Sequence, residues 1–265
     1  MSKSSAPGSR ASLHRPGGTK PRGRFSPRRT GNDLLFHISP VVTAVLVDSA
    51  FFLRRSRRLF GDLSPEEAAR KLHSMALDHL NDDSGRRVAR LYRIFVYDAA
   101  PPAWKGHLPI ARTPVDLRKT DRARWRLAFH DALRGMRKVA LRLGEVPATT
   151  ISWRLREGTL RELLKGRRAW AEITDSDFFL DMRQKGVDMR LGLDIASLAY
   201  KRQVNQIVLV TGDSDFVPAA KLARREGVDV ILDPMWATIR PELFEHVDGI
   251  RSVCPRPRKS PRKPA

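Results

Sequence analysis

The chain has 265 residues, a length that fits one ordinary domain flanked by tails. Its 50 Lys and Arg residues outnumber 29 Asp and Glu residues, and the resulting formal charge of +21 excludes a neutral surface and favours a polyanionic partner, either nucleic acid or an anionic membrane. No apolar run reaches the roughly 20 residues of a bilayer-spanning helix, and no apolar secretion segment stands at the N-terminus. The single cysteine, Cys254, excludes a disulfide framework and a Cys-based zinc site. We therefore expect a soluble, cytoplasmic protein.

Both ends of the chain are basic and contain no acidic residue. Residues 1–32 carry eight Lys and Arg residues among Gly, Pro and Ser, and residues 251–265 carry six more between prolines. Segments of this composition bury too little apolar surface to offset the conformational entropy that is lost on folding. We therefore predict a disordered basic arm over residues 1–32, a folded domain over residues 33–250 and a disordered basic tail over residues 251–265. Composition alone leaves open whether the two tails bind nucleic acid or are simply solvated.

The first half of the chain contains two strand patterns and two helix patterns. Residues 41–47 form an apolar, β-branched run that ends at Asp48, which predicts a strand buried on both faces. Ser64 is typical of a helix N-cap. Residues 91–97 predict a second strand. Over residues 121–143 apolar side chains recur every three or four positions, which predicts one long helix.

The second half predicts more elements of the same kind: a candidate strand over residues 149–155, a basic loop or hairpin over 158–168, a helix over 188–202, and strands over 207–210 and 228–232. Ser214 and Gly227 are expected to cap a helix between the last two strands. Strands and helices alternating in this order predict a parallel α/β sheet, in which ligands bind beyond the carboxyl ends of the strands.

Four aspartates follow predicted strands or begin a predicted helix: Asp48, Asp188, Asp213 and Asp215. Parallel topology would bring them to one edge of the sheet. Carboxylates that converge repel one another, so such a group needs a cation to neutralise it. Oxygen ligands without Cys or His select Mg²⁺ or Mn²⁺. Either ion can activate a water molecule that attacks a phosphodiester. A lone aspartate at a strand end is more often a turn or cap residue, so the prediction depends on the whole set.

Four segments carry a resemblance to a known family: VLVD (45–48), YDAAPP (97–102), KGVD (185–188) and VTGDSDFVP (210–218). Together they resemble the NYN domain family, in the LabA-like or DUF88 branch of the PIN-like nuclease superfamily, over residues 41–250. The resemblance implies a Rossmann-like, PIN-type parallel sheet flanked by helices, and Mg²⁺- or Mn²⁺-dependent hydrolysis of RNA. By position, Asp48, Asp188, Asp213 and Asp215 would be the catalytic and metal-binding residues, with Asp194 a weaker candidate.

One position departs from the pattern of the family. NYN domains usually read Asp-x-x-Asn after the first strand, whereas this chain has Phe51, which neither donates nor accepts the hydrogen bond of an asparagine. Ser49 is a candidate to compensate. Without compensation, the chain would be a weak or inactive NYN-fold regulator that binds RNA.

A run of arginines follows the first aspartate closely. Arg54, Arg55, Arg57 and Arg58 are candidates to contact the phosphates that flank the scissile bond, although any one of them alone fits an ordinary solvated face. The expected partner is RNA, with no membrane and no small-molecule cofactor, and the sequence predicts no oligomeric state.

Other α/β classes fit the sequence less well. A phosphatase of this kind would need a second aspartate at Ala50, two residues after the first. A topoisomerase-primase-like domain would need a glutamate at the end of the first strand. The chain also has no G-x-x-x-x-G-K-[ST] loop and no G-x-S-x-G elbow, which disfavours nucleotide-triphosphate motors and α/β-hydrolases. The leading prediction is therefore a metal-dependent ribonuclease.

Overall fold

A computed structural model describes residues 40–257. The strands are β1 (Val41–Asp48), β2 (Ala89–Ala99), β3 (Lys105–His107), β4 (Pro114–Asp116), β5 (Val139–Gly144), β6 (Ser152–Leu155), β7 (Phe178–Asp181), β8 (Gln206–Val210), β9 (Asp229–Asp233) and β10 (Gly249–Ile250). The α-helices are α1 (Ser49–Phe60), α2 (Pro65–Asp78), α3 (Asp121–Arg134), α4 (Glu157–Leu164), α5 (Val187–Tyr200), α6 (Val217–Arg225) and α7 (Pro241–Phe244). Within this range no helix is both long and apolar enough to cross a membrane.

Six strands form a parallel sheet in the order β10-β9-β8-β1-β2-β5. β1 lies near its centre, and residues 43–47 are buried, as expected of a strand that is covered on both faces. Strands β3 and β4, and likewise β6 and β7, form separate antiparallel pairs. The predicted PIN-type α/β architecture is confirmed, and the carboxyl ends of the central strands share one edge.

Helices cover both faces of this sheet. On one face, Phe52 of α1, Leu72 of α2 and Phe129 of α3 pack into a common apolar core. On the other face, Leu191 and Ile195 of α5 pack with side chains of α6. Burying each of these large side chains contributes about 1.5–3 kcal/mol, so the two cores fix the helices against the strands.

The start of α2 agrees with its sequence prediction. The Ser64 hydroxyl accepts a hydrogen bond from the Glu67 amide at 3.2 Å, and the Glu67 carboxylate accepts one from the Ser64 amide at 2.8 Å. This reciprocal capping box satisfies two amides that the helix itself leaves unpaired. The strand predictions near residues 41–47, 91–97, 207–210 and 228–232 and the helix prediction near 188–202 are also confirmed, within a few residues at each end.

The single helix predicted over residues 121–143 is wrong. α3 ends at Arg134, and the chain then passes through Gly135 and a left-handed Lys138 (φ 62°) into β5. Apolar residues at 139, 141 and 143 fit a strand as well as a helix, and pairing of β5 with β2 decides between them.

Two other local predictions are corrected, and one helix was not predicted. The basic loop predicted over residues 158–168 contains α4, and α1, which follows β1 without a break, was not predicted. Ser214 does not cap α6 directly, because it begins a 3-10 turn that is capped by Asp213, and α6 begins at Val217.

Residues 251–254, which follow the predicted C-terminal boundary at residue 250, contact the rest of the domain. The Arg251 amide donates to the Leu232 carbonyl, and the Cys254 side chain is buried against the domain. The Cys254 carbonyl also accepts a hydrogen bond from the Trp236 indole at 2.7 Å. The predicted basic arm, and the predicted tail beyond residue 257, lie outside the described residues.

Candidate active site

Asp48 lies where β1 ends and α1 begins. One carboxylate oxygen accepts the Phe51 amide at 3.1 Å and so caps α1, and the Thr211 hydroxyl lies 3.5 Å from the other oxygen. Burial raises the pKa of Asp48, hydrogen bonds from Phe51 and Ala50 and the charge of Arg54 oppose that rise, and the charge of Asp188 adds to it. Asp48 is thus held in place by the backbone of the helix that follows it.

Asp213 and Asp215 lie on the 3-10 turn that follows β8. The Asp213 amide donates to the hydroxyl of Thr211 at 3.2 Å, and the Asp215 amide donates to the Asp213 carboxylate at 3.1 Å. Both aspartates are exposed, whereas Thr211 is fully buried. The buried threonine therefore connects this turn to Asp48 on the neighbouring strand.

Asp188 lies in the first turn of α5, where a negative charge is favoured by the helix dipole. The loop before it is fixed to the end of β5 by two backbone hydrogen bonds between Glu145 and Lys185. Gly144 permits this approach, because a Cβ there would lie 2.5 Å from the Lys185 carbonyl oxygen. The position of Asp188 thus depends on contacts at the edge of the sheet.

The four aspartates influence one another electrostatically. Partial burial raises the pKa of Asp188, and the charges of Asp213 and Asp215 raise it further. Asp188 in turn raises the pKa of Asp48. In the part of the chain that the structure describes, however, no three His, Cys, Asp or Glu side chains converge closely enough to hold a metal ion. The structure therefore brings the aspartates to one region without forming a closed ligand set.

Asp194, the weaker candidate, is engaged elsewhere. Its carboxylate accepts hydrogen bonds from the Tyr97 hydroxyl at 2.9 Å and from Arg142 at 3.0 Å. Burial, with the nearby charge of Asp194, raises the pKa of Tyr97 and keeps the phenol protonated as a donor. These contacts connect α5 to β2 and β5, which is a structural role.

Phe51 is buried beside the aspartates. Its ring lies against Gly212, where an added Cβ would stand 2.7 Å from Cε2 of the ring. Ser49 does not replace the missing asparagine, because its buried hydroxyl donates to Asp98 at 3.0 Å. Apolar packing therefore occupies the position at which the family pattern has a hydrogen-bonding side chain.

Asp98, near the end of β2, is a buried carboxylate to which the sequence analysis assigned no role. It accepts hydrogen bonds from Ser49 at 3.0 Å, Arg126 at 2.7 Å and His130 at 2.8 Å. Burial by itself would raise the pKa of Asp98, but the His130 hydrogen bond and the Arg126 charge outweigh it and hold the pKa below its usual range. The YDAAPP segment (97–102), which contains Asp98, is the part of the sequence that could have indicated this site.

The four arginines of α1 have different surroundings. Arg54 and Arg57 line a cleft between α1 and α3, which we call the α1–α3 cleft. Arg55 donates two hydrogen bonds to the Met235 carbonyl, at 3.0 and 2.6 Å. Arg58 is exposed and does not line the cleft. Two of the four arginines thus border the cleft, and the phosphate-binding role of all four stays a prediction.

The NYN domain family matches residues 165–245, a range that includes Asp188, Asp213 and Asp215. This match confirms the NYN assignment and supports the PIN-like nuclease superfamily, while the LabA-like branch stays a prediction. No curated protein matches the chain. Among solved structures, the chain is similar to a protein of unknown function, VPA0982, from Vibrio parahaemolyticus RIMD 2210633, with 15% identity, a TM-score of 0.44, and coverage of 81% of this chain and 94% of that one.

Proposed function

We propose that this chain, which contains an NYN domain of the PIN-like nuclease superfamily, is a metal-dependent ribonuclease. The observation that carries the proposal is the electrostatic coupling of Asp48, Asp188, Asp213 and Asp215, which come from three separate segments of the chain. Uncompensated repulsion among carboxylates is costly, and enzymes keep such arrangements where a cation or a proton is used.

The donor set fits a hard divalent cation. All four groups are carboxylates, with no Cys or His among them, which selects Mg²⁺ or Mn²⁺ over softer metals. Asp48 is anchored as a helix cap, while Asp188, Asp213 and Asp215 are exposed and have room to change rotamer. A bound ion would supply charge neutralisation at the phosphate and a water of lowered pKa.

The substrate class follows from the charge of the whole chain. A formal charge of +21 favours a polyanion, and the arginines of α1 begin six residues after Asp48. Phosphate contacts of this kind position a nucleic-acid strand without selecting its sequence. The charge favours a nucleic acid, and the NYN domain, whose family is implied to hydrolyse RNA, leads us to propose RNA as the substrate. The cytoplasm, predicted from the sequence, remains the expected location.

Replacement of Asp213 by Asn tests the proposal. Asp213→Asn is expected to abolish cleavage of a labelled RNA in Mg²⁺ or Mn²⁺ while RNA binding survives, because the change removes a ligand charge and leaves the fold. Asp229→Asn is the matched control, since Asp229 begins β9 at the opposite edge of the sheet. Full cleavage by Asp213→Asn, or by the unaltered protein in excess EDTA, would contradict the mechanism.

The buried Phe51 ring favours a second candidate function, an RNA-binding regulator that does not cut. Under this alternative the unaltered chain shows no cleavage, and Phe51→Asn gains it by restoring the hydrogen-bonding side chain of the family pattern. Calorimetric titration of the unaltered protein with Mn²⁺ separates the two functions further. Binding of the ion together with cleavage supports the ribonuclease, and RNA binding with neither supports the regulator.

A further inference from the structure

The α1–α3 cleft borders α1, the helix that Asp48 caps. It has a volume of about 730 Å³ and is bounded by α1, by residues 61–63 and by the first two turns of α3. Ala50, whose amide hydrogen-bonds Asp48, lines its inner end, and Arg54, whose charge lowers the pKa of Asp48, lines its wall. The cleft therefore includes a residue two positions from the first aspartate and an arginine whose charge acts on that aspartate.

Positive charge on the cleft wall is only partly compensated. Arg54 and Arg122 line the cleft, and neither makes a salt bridge with any residue in the range 40–257. Arg126 also lines it, and its guanidinium is oriented by the buried carboxylate of Asp98 at 2.7 Å. A guanidinium held in this way loses little side-chain entropy when it binds an anion.

Acidic residues in the cleft are already neutralised. Asp62 forms a salt bridge with Arg57 at 2.7 Å, and Asp121 forms one with Arg124, which lies outside the cleft. The charges that remain available to a ligand are therefore positive.

The rest of the lining is apolar and includes one aromatic ring. Leu53 and Leu63 contribute aliphatic surface, and Trp125 is fixed by its indole hydrogen bond to the Leu63 carbonyl at 3.2 Å. Its ring also stacks on Phe129, with centroids 5.4 Å apart. A rigid indole beside uncompensated arginines suits a flat heterocycle that is joined to a phosphate.

We infer that the α1–α3 cleft binds one unpaired nucleotide of a single-stranded nucleic acid. Arg54, Arg122 and Arg126 contact its phosphate, and the apolar lining with Trp125 receives its base. Volumes of roughly 300–1,000 Å³ are typical of pockets that enclose a single small ligand. Bases in a duplex face inward and cannot enter such a pocket unless they leave the stack. The inference rests on the proposed function and adds strand selectivity to it.

Two conservative variants on the same helix test the cleft. Arg122→Gln removes a cleft charge, and Arg134→Gln removes an exposed charge in the last turn of α3, where both Arg134 and its partner Asp131 lie outside the cleft. Both are made in the full chain carrying Asp213→Asn, so that cleavage does not interfere. Fluorescence anisotropy then measures binding of a labelled single-stranded oligoribonucleotide, and of the same sequence as a duplex, across a salt series.

We expect Arg122→Gln to weaken single-strand binding roughly tenfold, the loss of one charge-assisted hydrogen bond. The slope of log affinity against log salt should fall by about 0.7, as for one phosphate contact on a single strand. Arg134→Gln should leave both quantities unchanged, and the duplex should bind more weakly and respond equally to the two variants. Equal effects of both variants on the single strand, or equal binding of duplex and single strand, would overturn the inference.

The experiments distinguish an incorrect inference about nucleotide binding in the cleft from an incorrect proposal of ribonuclease activity. A protein that does not cleave RNA but binds single strands through Arg122 supports the cleft and overturns the ribonuclease. A protein that cleaves RNA but is indifferent to Arg122→Gln supports the ribonuclease and overturns the cleft.

Discussion

Replacement of Gly212 by Ala tests whether the Phe51 ring supports the turn that carries Asp213 and Asp215. An added Cβ would stand 2.7 Å from Cε2 of the ring, 3.3 Å from Cδ2 and 3.4 Å from Cζ. Gly212 is not among the residues with positive φ, so an alanine there is resisted by sterics alone. Overpacking of this kind costs about 1–3 kcal/mol, so we expect Gly212→Ala to lower the free energy of unfolding by that amount.

The same contact predicts how two changes combine. Phe51→Ala alone should cost about 3–5 kcal/mol, as for other buried phenylalanines. In the double variant the new methyl group no longer meets the ring, so the overpacking cost disappears. The combined loss should therefore fall short of the sum of the single losses by about 1–3 kcal/mol, which is a measurable coupling between residues in contact.

Urea unfolding followed by circular dichroism provides the measurement. Gly192→Ala on α5 is the matched control, because nothing lies within 4 Å of its added Cβ. It should raise stability by about 0.5–1 kcal/mol, since alanine favours a helix interior over glycine. Additivity of Gly212→Ala and Phe51→Ala within about 0.5 kcal/mol would refute the proposed contact.

Three further predictions concern the buried carboxylate, the basic arm and the cap of α2. Asp98→Asn should cost about 3 kcal/mol at pH 7, because it breaks a buried charge network. Since folding lowers the pKa of Asp98, its stabilisation is present above about pH 4 and is lost as the pH falls further. The urea midpoints of the variant and the unaltered protein should therefore draw closer as the pH falls below about 4; a constant gap would contradict this. Deletion of residues 1–32 should weaken RNA affinity and flatten its salt dependence without changing the rate of the chemical step, and an unchanged slope would show that the arm makes no phosphate contacts. Ser64→Ala should cost about 1 kcal/mol in urea unfolding, and a loss near zero would show that the capping box is not stabilising.

Central strands were predictable from sequence because burial on both faces leaves a continuous apolar run. β1 and β8 show this pattern, and each is followed by the aspartates that the analysis selected. β5 was not recognised, because its apolar residues continue the spacing of α3. Hydrogen bonds from β5 to β2 decide its conformation, and they join segments that are far apart in the chain.

α1 was missed for a different reason. Its sequence is rich in arginine, and few of its side chains are buried, among them Phe51, Phe52 and Ser56. The helix is nevertheless amphipathic, so its pattern was present in the sequence, and the cap supplied by Asp48 marks where the helix begins. An aspartate that ends a strand can thus cap the next helix, and Asp48 does so while it also faces the other aspartates.

The position of the aspartates followed from topology, whereas the cleft beside them did not. Parallel strands deliver their carboxyl ends to one edge, so Asp48 and Asp213 could be placed there without coordinates. The cleft depends on how α3 lies against α1, and more than 60 positions separate Arg54 from Arg122 in the sequence. The two arginines lie in one cavity because α1 and α3 pack side by side. The packing of these helices, and not the local sequence pattern, therefore determines which arginines can contact a bound nucleic-acid strand.

Phe51 and Asp98 together indicate how this chain differs from the family pattern. The phenyl ring gives up a hydrogen bond next to Asp48 and gains packing on Gly212, which restrains the turn that carries Asp213. Ser49, the only nearby hydroxyl in that helical turn, is directed to Asp98, and Asp98 in turn orients Arg126 at the cleft. Hydrogen bonding has thus moved from the aspartates to the wall that would hold the substrate. The chain should therefore retain RNA binding more robustly than cleavage, which is why both activities must be measured on each variant.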